Sequence, residues 1–190
     1  MTPSTRRSYF TDIYATDPDP WGFESRWYEH RKYRLTVAAL PERRYTSAFE
    51  PGCSVGVLTA LLAGRCDRLL ATDIVPAALE RAADRLRDAD NVTLERRAVP
   101  EAWPTGPFDL IVLSEIAYYF DTATLGGLLQ LVVDSTAPGA TVVAVHWRGP
   151  TDYPLSGDEA HAVIRATPRL ERCAFHLEDS FVLEVWRRAG

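Results

Sequence analysis

The chain has 190 residues, of which 46% are hydrophobic and 25% charged, with a formal net charge of -5. That length supports one hydrophobic core and leaves little for a second, so a single domain over 1–190 is expected, with an N-terminal cap or lid over 1–45 and a core over 46–190. The acidic balance disfavours nucleic acid as a partner, because phosphate-backbone binding needs a basic face that releases counterions.

The opening residues are polar and lead into Asp17-Pro18-Asp19-Pro20, without the apolar core of a signal peptide. No apolar run approaches the length of a membrane span. A cytoplasmic enzyme or binding protein is the expectation, with no membrane partner. Glu24 to Leu40 then reads as a helix, with Trp27, Tyr28, Arg31, Leu35 and Ala39 at three- and four-residue spacing, and Pro41 ends it. A short apolar strand around Ala48-Phe49 enters the glycine turn Glu50-Pro51-Gly52-Cys53-Ser54-Val55-Gly56, and helical spacing resumes from Val57 to Ala63. Leu69 to Asp73 is the next strand. Pro76 suits the first turn of a helix running to about Ala89, and Val92 to Arg96 is a weaker third strand.

Phe108 to Leu113 is apolar almost throughout, as a parallel strand covered on both faces should be. A helix over Leu125 to Val133, a turn at Pro138-Gly139 and a buried strand over Thr141 to Val145 follow. Strands alternating with helices predict a doubly wound, mostly parallel α/β sheet. The tail breaks that rhythm. Leu170 to Glu178 and Phe181 to Arg187 are joined by only Asp179-Ser180, which predicts an antiparallel hairpin at a sheet edge.

Ligands of open α/β sheets bind beyond the carboxyl ends of the strands. Here those ends carry Glu50, Asp73, Ser114 with Glu115, and His146 with Trp147. A dinucleotide Gly-x-Gly-x-x-Gly turn counted from Gly52 fails at Ser54 and at Val57. The Glu/Asp-x-Gly-x-Gly-x-Gly turn of Rossmann-like methyltransferases fits Glu50, Gly52, Ser54 and Gly56 with one substitution. Glycines at 52 and 56 let the backbone approach a ligand. Asp73 has the place of an acid accepting from two ribose hydroxyls, although it also suits a helix cap. A carboxylate at position 50 suits a cofactor bearing an ammonium and a sulfonium and repels a pyrophosphate. S-adenosylmethionine is therefore the expected cofactor, bound by Glu50, Gly52, Cys53, Ser54, Gly56, Asp73, Ile74 and Ser114. The third strand is followed by Ala98-Val99-Pro100 instead of an acid or amide, so adenine is expected against backbone groups and the apolar walls of Ile74, Ala98 and Val99. The three cysteines, Cys53, Cys66 and Cys173, have no metal-ligand spacing, and no metal is expected.

Several of these stretches resemble the nodulation protein S family of methyltransferases. They are Asp17 to Phe23, Trp27-Tyr28-Glu29, Lys32-Tyr33, Glu50 to Gly56, Phe108 to Glu115, Tyr118-Tyr119 and His146-Trp147-Arg148. The resemblance implies the Rossmann-like class I methyltransferase fold. It also implies N-methylation, since the namesake enzymes methylate the amino group of a deacetylated sugar at the end of a chitin oligosaccharide. An amino sugar or related small amine is the expected acceptor. O- or C-methylation, and a non-catalytic S-adenosylmethionine-binding protein, are the alternatives. A DNA amino-methyltransferase is disfavoured because Ser114-Glu115-Ile116-Ala117-Tyr118 stands where its Asn/Asp-Pro-Pro-aromatic run belongs.

An amine must be neutral to attack a methyl group, so a proton acceptor is needed. Glu115 and His146 are the candidates; a helix-initiating acid and a hydrogen-bonded core histidine are their other readings. Tyr118, Tyr119 and Trp147 are candidates for a substrate wall, with ordinary packing under loops as the alternative. Trp21, Phe23, Trp27 and Tyr28 are candidates for a lid, or for packing against the domain surface.

Overall fold

The computed structural model describes residues 4–190, so the first three residues of the polar opening lie outside the described residues. Seven strands form one sheet in the order β3-β2-β1-β4-β5-β7-β6. They are β1 (Ala48–Pro51), β2 (Leu69–Asp73), β3 (Val92–Arg96), β4 (Phe108–Ser114), β5 (Thr136–Trp147), β6 (Leu170–Leu177) and β7 (Phe181–Arg188). The first five run parallel, and β7 pairs antiparallel with both β5 and β6. Thus the tail hairpin forms, but only β6 is the edge. β7 is internal because seven residue pairs join it to β5 from Thr141↔Arg187 to Trp147↔Phe181.

Helices α1 (Arg7–Thr16), α2 (Trp27–Ala38), α3 (Val57–Ala63), α4 (Pro76–Arg85), α5 (Thr122–Asp134) and α6 (Gly157–Arg165) flank the sheet. Alternation along the central strands divides the core. Leu110 and Val112 of β4, with Val143 and Val145 of β5, pack with Tyr33, Leu58, Leu62 and Ala78 on one face. Ile111 and Leu113, with Val142 and Ala144, meet Leu125, Leu128, Val132 and Ile164 on the other. Residues 110–113 are all fully buried, and each such side chain contributes roughly 1.5–3 kcal/mol of transfer free energy. Apolar burial on both faces explains their unbroken hydrophobic run.

Local departures from the sequence reading have visible causes. Helix α2 begins at Trp27 because the Asp19 carboxylate accepts from the amides of Phe23 and Glu24 (both 2.9 Å), holding that stretch as a turn. Pro138-Gly139 is no terminal turn. It lies inside β5, where the register against β4 slips between Phe108↔Thr136 and Leu110↔Thr141, and Gly139 takes φ 84°. Two helices have no counterpart among the elements expected above: α1, and α6, which opens on a capping box between Ser156 and Glu159. No helix among the described residues is long and apolar enough to cross a membrane.

Candidate functional site

A cavity of about 510 Å³ opens at the carboxyl ends of β1, β2 and β4, under α1 and the turn leading into α2. Its floor is the glycine turn. Gly52 and Cys53 both donate to the Thr72 carbonyl (2.7 and 2.9 Å), tying the turn to β2. Ser54 stands in the left-handed region at φ 51°, where glycine is usual, and its hydroxyl is hydrogen-bonded to Tyr14 of α1. Its amide donates to Asp73 Oδ2 (2.9 Å), while Val75 donates to Oδ1 (3.0 Å). Asp73 is thereby fixed in orientation, with lone pairs left on both oxygens toward the cavity it lines. Burial pushes its carboxyl above the ordinary range.

Glu50 also lines the cavity, is 2% exposed, and has an Oε2 without any hydrogen-bond partner. Burial raises it to about 8, against the pull of the neighbouring Thr59 side chain and with a smaller push from Asp73. A buried carboxylate oxygen without a donor is costly, and it marks a position that a donor or cation would satisfy. Gly52, Cys53, Ile74, Ala98, Val99 and Ser114 line the same cavity. Gly56 does not. It takes φ 76° as the N-cap of α3, and a Cβ there would meet Ala82 Cβ at 3.0 Å, so it serves helix packing instead of ligand contact.

At the other end, β4 delivers Glu115 in the left-handed region, φ 53°. Its Oε1 is ion-paired with Lys32, and its Oε2 accepts from the Tyr118 hydroxyl and from Trp147 N–H (3.0 Å). Lys32, the only lysine in the chain, is 1% exposed and also pairs with Glu29 (2.8 Å) one turn earlier on α2. Burial alone would lower the Lys32 ammonium, but the facing carboxylates of Glu115 and Glu29 outweigh it and the net shift is upward. Burial pushes Glu29 up against the pull of Lys32.

An aromatic wall closes this end. Tyr118 stacks on Tyr153 (centroids 5.2 Å), Tyr119 meets Tyr153 edge-on at 4.6 Å, and Phe10 of α1 meets Tyr119 at 4.7 Å. Tyr118, Tyr119 and Trp147 all line the cavity. Of the candidate lid residues, Trp21, Phe23 and Tyr28 do so, whereas Trp27 is 68% exposed and faces away.

His146 requires a correction. It is completely buried, does not line the cavity, and is spent on structure. Ala117 N–H donates to its Nε2 (2.9 Å), which assigns the proton to Nδ1, and Nδ1 lies 3.0 Å from His161 Nε2. Burial first, then His161 and Lys32, hold the ring well below its usual range and neutral. With its one unprotonated nitrogen occupied, it has no site for an acceptor's proton.

The family model of nodulation protein S matches residues 10–148. The chain belongs to the nodulation protein S family. Nodulation protein S of Sinorhizobium fredii is 30% identical over 127 residues, taking in 66% of this chain and 59% of that relative. The Bradyrhizobium diazoefficiens protein is 29% identical over 127 residues, with 66% and 61% covered. The aligned region thus spans under two thirds of these relatives' length.

Among solved structures, a candidate methyltransferase from Pseudomonas syringae is 41% identical with a TM-score of 0.77, covering 86% of this chain and all of that one. The N-methyltransferase NodS from Bradyrhizobium japonicum, in complex with S-adenosyl-L-homocysteine, superimposes with a TM-score of 0.82 at 21% identity, covering 96% and 98%. This family member therefore has the class I methyltransferase fold, with its antiparallel carboxyl-terminal strands.

Proposed function

We propose that this nodulation protein S family member is an S-adenosylmethionine-dependent methyltransferase that N-methylates a small amine, an amino sugar or a near relative. The observation that carries the cofactor is the unpartnered, buried Glu50 oxygen beside a turn anchored on Asp73. An amino-acid nucleoside brings ribose donors and a cation that favours the ionised form of Glu50, whereas a pyrophosphate would bring further negative charge to two buried acids. Asp73 would take the ribose hydroxyls, and Ile74, Ala98 and Val99 would flank adenine. Arg26, which lines the cavity and has no ion-pair partner among the described residues, would meet the cofactor carboxylate.

When bound, S-adenosylmethionine supplies the electrophilic methyl group. The chain's own part is to hold an acceptor nitrogen in line with it, exclude water and remove a proton from the amine. Phe10, Tyr118, Tyr119 and Tyr153 give the acceptor end flat apolar faces of the kind a sugar ring covers, and about 510 Å³ shared with a cofactor leaves room for a small acceptor. Cap and core act as one unit, because Tyr14 of α1 and Lys32 of α2 reach the Ser54 turn and the end of β4. Free Cys53, Cys66 and Cys173 suit a reducing compartment, the bacterial cytoplasm.

Titration calorimetry with S-adenosylhomocysteine and NAD, followed by transfer of labelled methyl groups to glucosamine, N-acetylglucosamine and hydroxyl acceptors, tests this function. Binding of S-adenosylhomocysteine and labelling of glucosamine are expected. Tight NAD binding without S-adenosylhomocysteine binding would overturn the cofactor, and labelling confined to oxygen or carbon acceptors would overturn the N-methyl chemistry.

A further inference from the structure

The two carboxylates that converge on Lys32 are unequal. Glu115 has every oxygen engaged: Lys32 on Oε1, the Tyr118 hydroxyl and the Trp147 amide on Oε2. Among the described residues Glu29 has Lys32 as its one polar partner, in an ion pair at 2.8 Å from Oε2. Yet Glu29 is 6% exposed and lines the cavity. With both carboxylates ionised, two negative charges face Lys32 at the cavity wall, with Arg26 as the further cation acting on Glu29. The rings of Tyr28 and Tyr33 lie 4.9 and 5.6 Å from Lys32 Nζ, so the cation is enclosed and has no freedom to swing out and leave the second carboxylate paired with solvent.

We propose that Glu29 is the residue that receives the acceptor's ammonium and takes its proton, while Lys32 and Tyr118 hold Glu115 as a fixed counter-wall. This rests on the methyltransferase function proposed above. A proton passes from the bound ammonium to the Glu29 carboxylate, leaving a neutral amine. The nitrogen lone pair then forms the N–C bond as the S–C bond breaks, its electrons staying on sulfur. The product leaves as an N-methylammonium with S-adenosylhomocysteine, and Glu29 returns its proton to water. Position favours Glu29 as proton acceptor because it lines the cavity with Lys32 as its one polar partner, whereas Glu115 already holds three. Its raised pKa acts in the same sense, set against Lys32 and Arg26, which lower it, and Glu115, which raises it, with the Tyr28 and Tyr33 hydroxyls also facing the cluster.

The test is direct binding, in the presence of S-adenosylhomocysteine, of glucosamine and N-acetylglucosamine to wild type, Glu29→Gln and Glu29→Asp. Wild type is expected to favour the free amine by about tenfold. Glu29→Gln should erase that preference while keeping S-adenosylhomocysteine affinity within about twofold, and Glu29→Asp should restore part of it. In turnover, Glu29→Gln should cost about 10²-fold in kcat/KM for glucosamine, with the remaining activity shifted to higher pH where the amine is already neutral. No preference for the amine in wild type, or an unchanged preference in Glu29→Gln, would overturn the proposal. A parallel loss of S-adenosylhomocysteine affinity in Glu29→Gln would do so too, by placing Glu29 on the cofactor. Failure of wild type to bind S-adenosylhomocysteine at all would strike the methyltransferase function itself.

Discussion

Replacing Lys32 by methionine keeps the length and apolar character of the side chain and removes the one cation between two buried carboxylates. At the 2.8 Å separation of Nζ and Glu29 Oε2, an effective dielectric of about 20 gives a gross attraction of about 6 kcal/mol. The pair with Glu115 adds a second attraction of similar kind, while the desolvation of all three groups opposes both. Breaking a buried pair from one side leaves charge uncompensated and costs roughly 3–5 kcal/mol net. In a domain of this size that is a fall in Tm of roughly 6–20 °C. The loss should depend on pH with a definite sign. Without the pull of Lys32, Glu29 is held still further above its unfolded pKa, so its contribution is intact below the unfolded value and is lost as pH rises through the folded one. Scanning fluorimetry of wild type and Lys32→Met from pH 5 to 8.5 should show a Tm gap that widens with pH, and adding Glu115→Gln should narrow it at the alkaline end. A gap under 2 °C at pH 8, or one that grows on acidification, would refute the buried-triad account.

Asp73→Ala should weaken S-adenosylhomocysteine by roughly 1–3 kcal/mol, the loss of a charged acceptor, and calorimetry returning an unchanged affinity would mean that the ribose is held elsewhere. Gly56→Ala should lower stability by about 1–2 kcal/mol, because alanine at φ 76° is strained and its Cβ crowds Ala82; a denaturation midpoint equal to wild type would contradict this. His146 and His161 are both held below 6.5 by burial, so the stability they contribute is complete above that value and is lost as pH falls toward their folded pKa values. Tm should therefore drop between pH 7 and 5 in wild type and drop less in His161→Gln, provided that variant folds, and equal slopes for the two would rule out this pair as the source.

Much of the fold was legible in the chain because sheet burial leaves a one-dimensional trace. Residues 110–113 are apolar without alternation since both sides of β4 are covered, and Glu50, Asp73 and Glu115 could be placed at strand ends by counting from such runs. The two remaining helices also leave local traces. Tyr9, Phe10, Ile13 and Tyr14 recur at three- and four-residue spacing along α1, and Ser156 with Glu159 spells the cap of α6. The weight of Glu29 and Lys32 was not readable. As a helix pair three residues apart they look like an ordinary surface contact, and it is Glu115, 83 positions further on, that makes them a buried triad.

What the sequence determines unaided is what local spacing and composition encode: the alternation of strand and helix, the glycine turn with its two acids, and a hairpin at the tail. What folding in three dimensions decides is which of the polar residues at the sheet's edge have unused hydrogen-bonding capacity. His146 and Glu115 stand at equivalent strand ends and look alike as candidates, yet one is locked between Ala117 and His161 inside the core, and the other is held by Lys32, Tyr118 and Trp147 at the cavity wall. Apart from Tyr118, three residues from Glu115, these partners come from 15 to 83 positions away. The chemistry open to a side chain depends on its unspent donors and acceptors, and those are known only once distant segments have packed against it.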